Sequence, residues 1–216
     1  MKKFRPVLIR MAIVTGLLAA VAQAHGQGLN IPQNEAKDIL GNFALANDDI
    51  NAPAIGLPTG NQLRNARIVN PRRVYLLEIG TLKAIDKTNG VIWTSLRHTY
   101  NVVYEVRDAN NRILALLETE KAPGLVRRVL SLGNKAMALA LTGDSAQRRR
   151  SEIIVRVPAL YMEFVTYQTT GAQSQRFYIP LGKYSEAGLT KGAKYNDKTL
   201  RNKIKPLADA YEGWPE

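Results

Sequence analysis

The stretch RHTYNVVYEVRDANNRILALLET, residues 97–119, decides the fold that we expect for this chain. Side chains alternate between two faces over residues 100–107, which is the period of a half-buried β-strand. The face expected to point to the core carries Tyr100, Val102, Tyr104 and Val106. The other face carries Asn101, Val103, Glu105 and Arg107. Residues 108–111 favour a turn and residues 113–117 form a second apolar run, so the stretch predicts an antiparallel hairpin.

Similar short apolar runs on both sides of this hairpin predict an antiparallel sheet of about seven strands. The predicted strands are residues 74–79, 91–96, 100–106, 113–117, 152–157, 160–168 and 175–181. Turn signals join most of them, and Asn89-Gly90 is a strong hairpin-turn dipeptide. Because turns rather than helices connect most of the strands, the pattern indicates an α+β fold with a mainly antiparallel sheet.

Three segments carry helical periodicity. Residues 125–141, LVRRVLSLGNKAMALAL, have an apolar stripe opposite a basic one, which predicts an amphipathic helix. We expect this helix to cover the sheet, and the alternative is a helix that lies on a membrane surface. A short N-terminal helix is predicted from Asn34 onward, and residues 197–210 predict a basic C-terminal helix with Leu200 and Ile204 inward.

The chain of 216 residues, 45% hydrophobic and 22% charged, is long enough for one domain with a sizeable core. Residues 1–24 are interpreted as a signal peptide. Residues 25–71 are interpreted as an N-terminal helix followed by a linker rich in Pro, Gly and Asn. Residues 72–216 are expected to form the sheet and helix domain with its basic C-terminal tail.

The N-terminus predicts export. A basic leader precedes an apolar run at residues 11–22, which is shorter than the roughly 20 residues that span a bilayer. Ala22-Gln23-Ala24 then matches a signal-peptidase site, so we expect cleavage before His25 and no transmembrane segment afterwards. The alternative is an uncleaved anchor. The pattern is typical of bacterial export to the periplasm or the medium, and the absence of cysteine excludes lipoprotein anchoring, disulfides and thiolate metal sites.

The charge of the mature chain is clustered. Cleavage removes four basic residues and lowers the formal charge from +12 to +8. Seven basic residues but two acidic ones lie between positions 183 and 205, which suits contact with an acidic partner. The predicted basic surface comprises Arg148, Arg149, Arg150, Lys191, Lys194, Lys198, Arg201, Lys203 and Lys205.

The partner expected for this surface is an envelope protein or an anionic lipid or lipopolysaccharide surface. Nucleic acid is the weaker partner, because an exported protein seldom meets it. The alternative interpretation is a solvated basic face that keeps the protein soluble. Homo-oligomerisation is left open.

Catalytic motifs are absent from the sequence. No GxSxG, HExxH, GxGxxG or GKS/T element occurs, and the chain has two histidines, His25 and His98. Glu118 and Glu120 share one face of a strand and offer a carboxylate pair, which we interpret as a solvated strand end. The sequence therefore favours a non-enzymatic binding or structural subunit of a cell-envelope assembly that needs no cofactor.

The alternative hypothesis is a copper protein. Cleavage before His25 would offer copper both the terminal amine and the imidazole, and a second histidine would complete a T-shaped nitrogen site. This arrangement resembles the histidine brace of lytic polysaccharide monooxygenases and of some periplasmic copper carriers. The resemblance implies that His98 is the second ligand, that Tyr100 or Tyr167 lies nearby, and that the protein binds copper or acts as an oxidative enzyme.

Overall fold

The computed structural model describes residues 29–47, 52–53, 57–86, 88, 90–133, 153–168 and 175–213. Within those residues the strands are β1 (Arg67–Leu76), β2 (Arg97–Arg107), β3 (Ile113–Glu120), β4 (Arg128–Gly133), β5 (Ile153–Val157), β6 (Met162–Gln168), β7 (Arg176–Pro180) and β8 (Tyr195–Asn196). The α-helices are α1 (Gln33–Ala46), α2 (Gly60–Arg64), α3 (Ile79–Ala84) and α4 (Asp197–Ala210). Short 3-10 helices span Trp93–Ser95, Pro158–Leu160 and Ser185–Ala187.

The strands form one sheet in the order β4-β3-β2-β1-β5-β6-β7-β8. Neighbouring strands are antiparallel except β1 and β5, which are parallel, with Tyr75 opposite Val155. The predicted α+β class with a mainly antiparallel sheet is therefore confirmed. The described sheet has eight strands rather than about seven.

The hairpin predicted at residues 97–119 is confirmed as β2 and β3, with Tyr104 opposite Leu117. In the turn, the amide of Asp108 donates to the carbonyl of Arg112 at 3.0 Å. Asn111 adopts a left-handed conformation with φ of 64°, which most residues avoid but asparagine tolerates. The local turn chemistry therefore sets the register of the two strands.

The prediction that only one face of β2 is buried is wrong. Val102 and Tyr104 pack beneath α1, as expected, but Tyr100 on the same face is 49% exposed. Val103 and Glu105 on the opposite face are also buried. β2 is therefore covered on both faces, because it lies in the interior of the sheet and apolar or paired side chains cover each side.

Helices cover one face of the sheet in two groups. The first group is α1, whose Leu40 packs on the β2 and β3 side chains. The second group is α3 and α4, whose Leu82 and Ile204 pack on β5, β6 and β7. Side-chain alternation places both clusters on the same face, and a third apolar cluster that includes Val74 and Ile154 lies on the other.

The N-terminal helix is tied to the sheet rather than held apart by the linker. Arg127 Nε donates to Glu35 Oε1 of α1 at 2.8 Å, and its Nη1 donates to the Tyr104 hydroxyl at 2.7 Å. Tyr104 in turn donates to the carbonyl of Leu29 at 2.6 Å. These contacts, with the apolar cluster beneath α1, join α1 to β2 and to the segment before β4.

The helix predicted at residues 125–141 is wrong over its described half. Residues 128–133 form β4, which pairs with β3 through Leu117 and Leu132, and residues 134–141 lie outside the described residues. A short apolar run fits a strand as well as a helix, and the open edge of β3 supplies hydrogen bonds that favour the strand. Among the described residues, the helices that cover the sheet are α1, α3 and α4.

The strand predicted at residues 91–96 is also wrong. Trp93–Ser95 is a 3-10 helix, and the end of the predicted strand at 74–79 turns into α3. The amide of Gly90 donates to the carbonyl of Asp86 at 3.0 Å, and Ile92 is fully buried beside α4. The predicted hairpin does not form after Gly90, because a 3-10 helix and not a strand follows it.

Candidate binding surfaces

Most of the described lysines of the predicted basic surface lie near the β8 edge of the sheet. Lys191 and Lys194 are exposed in the segment before β8, and Lys198 is exposed in the first turn of α4. Lys203 is half-buried and donates to the carbonyl of Gly188 at 3.0 Å. Lys194 also lies 5.5 Å from the ring centroid of Tyr167. Arg148, Arg149 and Arg150 lie outside the described residues.

Arg201 and Lys205, which the sequence interpretation placed on the same surface, lie inside the fold. Arg201 is 3% exposed and donates to the carbonyls of Gly90 and Thr88. Lys205 is 6% exposed, and its Nζ lies 2.5 Å from the carbonyl oxygen of Lys83. Both residues follow the inward stripe of α4, so their long side chains bind backbone carbonyls at the end of α3 and in the loop after it.

His98 lies exposed at the start of β2, between Tyr75 and Tyr100. Arg73 Nη1 is 3.2 Å from His98 Nε2, so a copper ion at this nitrogen would have to displace a guanidinium. Tyr100 is the neighbour that the copper hypothesis requires, whereas Tyr167 stacks on Phe177 on the other face.

His25 lies outside the described residues. Within the residues that the structure describes, no three metal-ligating side chains come together. The copper site stays a prediction.

A row of aromatic rings, which we call the aromatic row, runs along β1 and the start of β2 on the helix-bearing face. Its members are Trp93, Tyr75, His98 and Tyr100. Successive ring centroids are 5.9, 5.2 and 5.9 Å apart, with interplanar angles of 39°, 75° and 88°. The row lies between the cluster beneath α1 and the cluster beneath α3 and α4, so the sheet and both helix groups position it.

Arg176 of β7 extends over the Trp93 end of this row. Its guanidinium carbon lies 3.1 Å from the centroid of the Trp93 ring, and its Nη2 donates to Gln168 Oε1 at 2.8 Å. Burial lowers the pKa of Arg176, while nearby Tyr178 and Asp197 oppose that shift. Asp197 is already engaged, because it accepts hydrogen bonds from the Tyr178 hydroxyl and the Ile92 amide.

The two carboxylates of β3 are paired rather than solvated. Glu118 accepts two hydrogen bonds from Arg156, at 2.7 and 2.9 Å, and a third from Asn101 at 2.9 Å. Burial alone would raise the pKa of Glu118, but the Arg156 hydrogen bonds and charge, with the Asn101 hydrogen bond, hold it below its ordinary value. Glu120 pairs with Arg128 at 3.5 Å. Two carboxylates that pair with different arginines do not form an acid–base pair.

The sequence interpretation missed the aromatic row because its residues come from three separate segments. Tyr75 and Tyr100 lie in predicted strands that are formed, whereas the strand predicted around Trp93 is not formed. The one local signal was His98 beside Tyr100, which alternation places on one face. The contact with Arg176 could not be read from the sequence, since β7 follows β2 by more than 60 residues along the chain.

No protein-family model matches this chain, and comparison with curated proteins and with solved structures gives no match either. Among the described helices, none has the length and apolar character needed to cross a bilayer.

Proposed function

We propose that the protein is an exported, non-enzymatic binding or structural subunit of a bacterial cell-envelope assembly that contacts an anionic surface or an acidic partner protein. The observation that carries this proposal is a set of lysines near the β8 edge. Lys191 and Lys198 are exposed, and within the described part of the chain they form no ion pair. Uncompensated charges attract an anionic partner over a distance set by the ionic strength.

Because Arg201 and Lys205 are buried, the proposed binding surface comprises, among the described residues, only the exposed lysines. These two residues stabilise the contact of α4 with the end of α3 and the loop after it, so reversing their charge would test folding rather than binding. The exposed lysines are the appropriate targets, since surface substitutions usually change stability by less than about 0.5 kcal/mol.

We expect the protein to co-sediment with vesicles containing anionic lipid at low salt and to be released at high salt. The reason is that the Debye length falls from about 10 Å at 0.1 M to about 3 Å at 1 M. The double variant Lys191→Glu/Lys198→Glu should lose most of this binding. Sedimentation with anionic and neutral vesicles at both salt concentrations measures the effect.

The matched control is Lys37→Glu/Lys121→Glu, which changes the net charge equally but at exposed positions on α1 and after β3. This variant should retain most of the binding. Equal losses in the two double variants would mean that net charge matters and the lysines near β8 do not. Binding to neither type of vesicle would exclude an anionic lipid surface as the partner, and an acidic protein would be the remaining candidate.

Export has its own test. We expect the protein recovered from the periplasm or the medium to begin at His25, because the Ala-x-Ala site follows a short apolar run. Intact mass spectrometry of the protein from a bacterial host, with Ala24→Arg as the variant that should block cleavage, measures this. A full-length mass in the membrane fraction of the wild type would contradict cleavage and indicate the uncleaved anchor instead.

A further inference from the structure

The aromatic row is exposed along part of its length although it belongs to a well-packed sheet. Tyr100 is 49% exposed and His98 is also exposed, while Tyr75 and Trp93 are half-buried. The backbone of the row is fixed by the pairing of Tyr75 with His98 and with Val155. Because these rings are already held rigidly, the protein loses little conformational entropy when a ligand packs on them, which favours binding.

Arg176 places a positive charge at one end of the row, and the nearby carboxylate of Asp197 forms no ion pair with it but accepts hydrogen bonds from Tyr178 and Ile92. A guanidinium has five N–H donors, and in the described part of the chain Arg176 makes one hydrogen bond, to the neutral amide of Gln168. Stacking on Trp93 offsets part of the cost of burying this charge. An anionic group would supply the charged acceptors that the guanidinium lacks, and a carboxylate matches its planar geometry.

The relative orientation of the rings indicates which chemical class of ligand packs on the row beside the anionic group. Single-stranded nucleic acids stack successive bases on aromatic faces, whereas successive rings of this row, at 39°, 75° and 88°, are not parallel. The row instead presents a mixture of faces and edges with the polar tips of two tyrosines and an indole. A pyranose ring combines an apolar C–H face with a rim of hydroxyl groups and fits such a surface.

We propose that the aromatic row binds an acidic glycan, with pyranose units packed against Trp93, Tyr75 and Tyr100 and a carboxylate paired with Arg176. This site uses none of the lysines near β8. It therefore goes beyond the proposed surface attachment, and either property can fail without the other.

The test follows the fluorescence of Trp93 during titration with tetragalacturonate. The variant Trp214→Phe serves as the parent protein, because the chain has two tryptophans and this substitution makes Trp93 the sole reporter. The methyl ester of the same tetrasaccharide is the neutral comparison. We expect saturable quenching by the acid and an affinity about tenfold or more lower for the ester, since hydrogen bonds between charged groups are the stronger ones.

Two variants locate the site. Arg176→Gln should remove the preference for the acid over the ester, and Tyr100→Ala should weaken both ligands about two- to tenfold through loss of ring contact. The matched controls are Arg128→Gln on β4 and Tyr161→Asn, both at exposed positions outside the row. Asparagine is chosen for Tyr161 because φ there is 52°, a conformation that asparagine tolerates.

Thermal unfolding of each variant shows that the fold is retained. The proposal would be overturned by an absence of saturable quenching, by equal affinities for acid and ester, or by wild-type affinity in Arg176→Gln. Tighter binding of a single-stranded oligonucleotide than of tetragalacturonate would overturn the glycan class.

Discussion

Glu105→Ala is expected to lower the free energy of unfolding by about 3–5 kcal/mol, since it breaks a buried ion pair by removing one partner. The side chain of Glu105 is 1% exposed. Its carboxylate accepts hydrogen bonds from Arg72 at 2.6 Å, from Arg107 at 2.6 Å and from Asn70 at 2.7 Å. Removing the carboxylate takes away the ion-pair partner that Arg72, whose side chain is 8% exposed, contacts at 2.6 Å inside the sheet.

The matched control is Glu120→Ala, which removes a carboxylate from the same sheet at its exposed end. Glu120 pairs with Arg128 at 3.5 Å, and the side chain of Arg128 is 75% exposed, so the loss should be within about 1 kcal/mol. Urea denaturation of both variants and the wild type measures the difference. Similar losses at the two positions would show that the Glu105 network contributes no more than a surface pair.

Lowering the pH should destabilise the protein through the carboxylate of Glu105. Burial alone would raise the pKa of Glu105, but the charge of Arg72 and the hydrogen bonds from Asn70, Arg72 and Arg107 hold it below its ordinary value. Because the folded-state pKa is the lower one, this contribution to stability is present above the unfolded pKa of about 4.3 and is lost as pH falls through the folded pKa. The stability of Glu105→Ala should therefore fall less steeply below about pH 5 than that of the wild type.

Elements with a strong local pattern could be predicted from the sequence. The hairpin of β2 and β3 has clear alternation and its own turn residues, and α4 repeats its apolar residues at helical spacing over 14 residues. β4 could not be predicted in this way, because its six residues fit either periodicity and its hydrogen bonds come from β3. The eighth strand was missed because β8 contains two residues.

The roles of individual charged residues depended on contacts that are distant in sequence. Arg201 looked like part of a basic run, but its guanidinium binds the carbonyl of Gly90, 111 positions away. Glu118 looked solvated, yet Arg156 reaches it from β5 with β1 and β2 between the two strands. A run of charged residues along the chain shows only the local composition. Whether each of those residues is buried or paired depends on which segments the fold brings together.

Val102→Asp is expected to unfold the protein or to lower its stability by several kcal/mol, because it places an unpaired charge in an apolar site. Val102 is 6% exposed and belongs to the cluster beneath α1 with Leu40 and Leu117. The free energy of unfolding of a domain is about 5–15 kcal/mol, so the expected loss is a large part of it. Far-UV circular dichroism and thermal denaturation measure the result.

A control for Val102→Asp must not disturb the other face of β2. Asn101→Asp is unsuitable, although alternation places it opposite Val102, because the Asn101 amide donates to Glu118 Oε1 at 2.9 Å. A second carboxylate there would repel Glu118 and lose the hydrogen bond, so Asn101→Asp should itself be destabilising. Val126→Asp is the matched substitution, since Val126 is 86% exposed, and it should change stability by about 0.5 kcal/mol or less. Comparable losses in Val102→Asp and Val126→Asp would mean that the cluster beneath α1 does not hold the helix on the sheet.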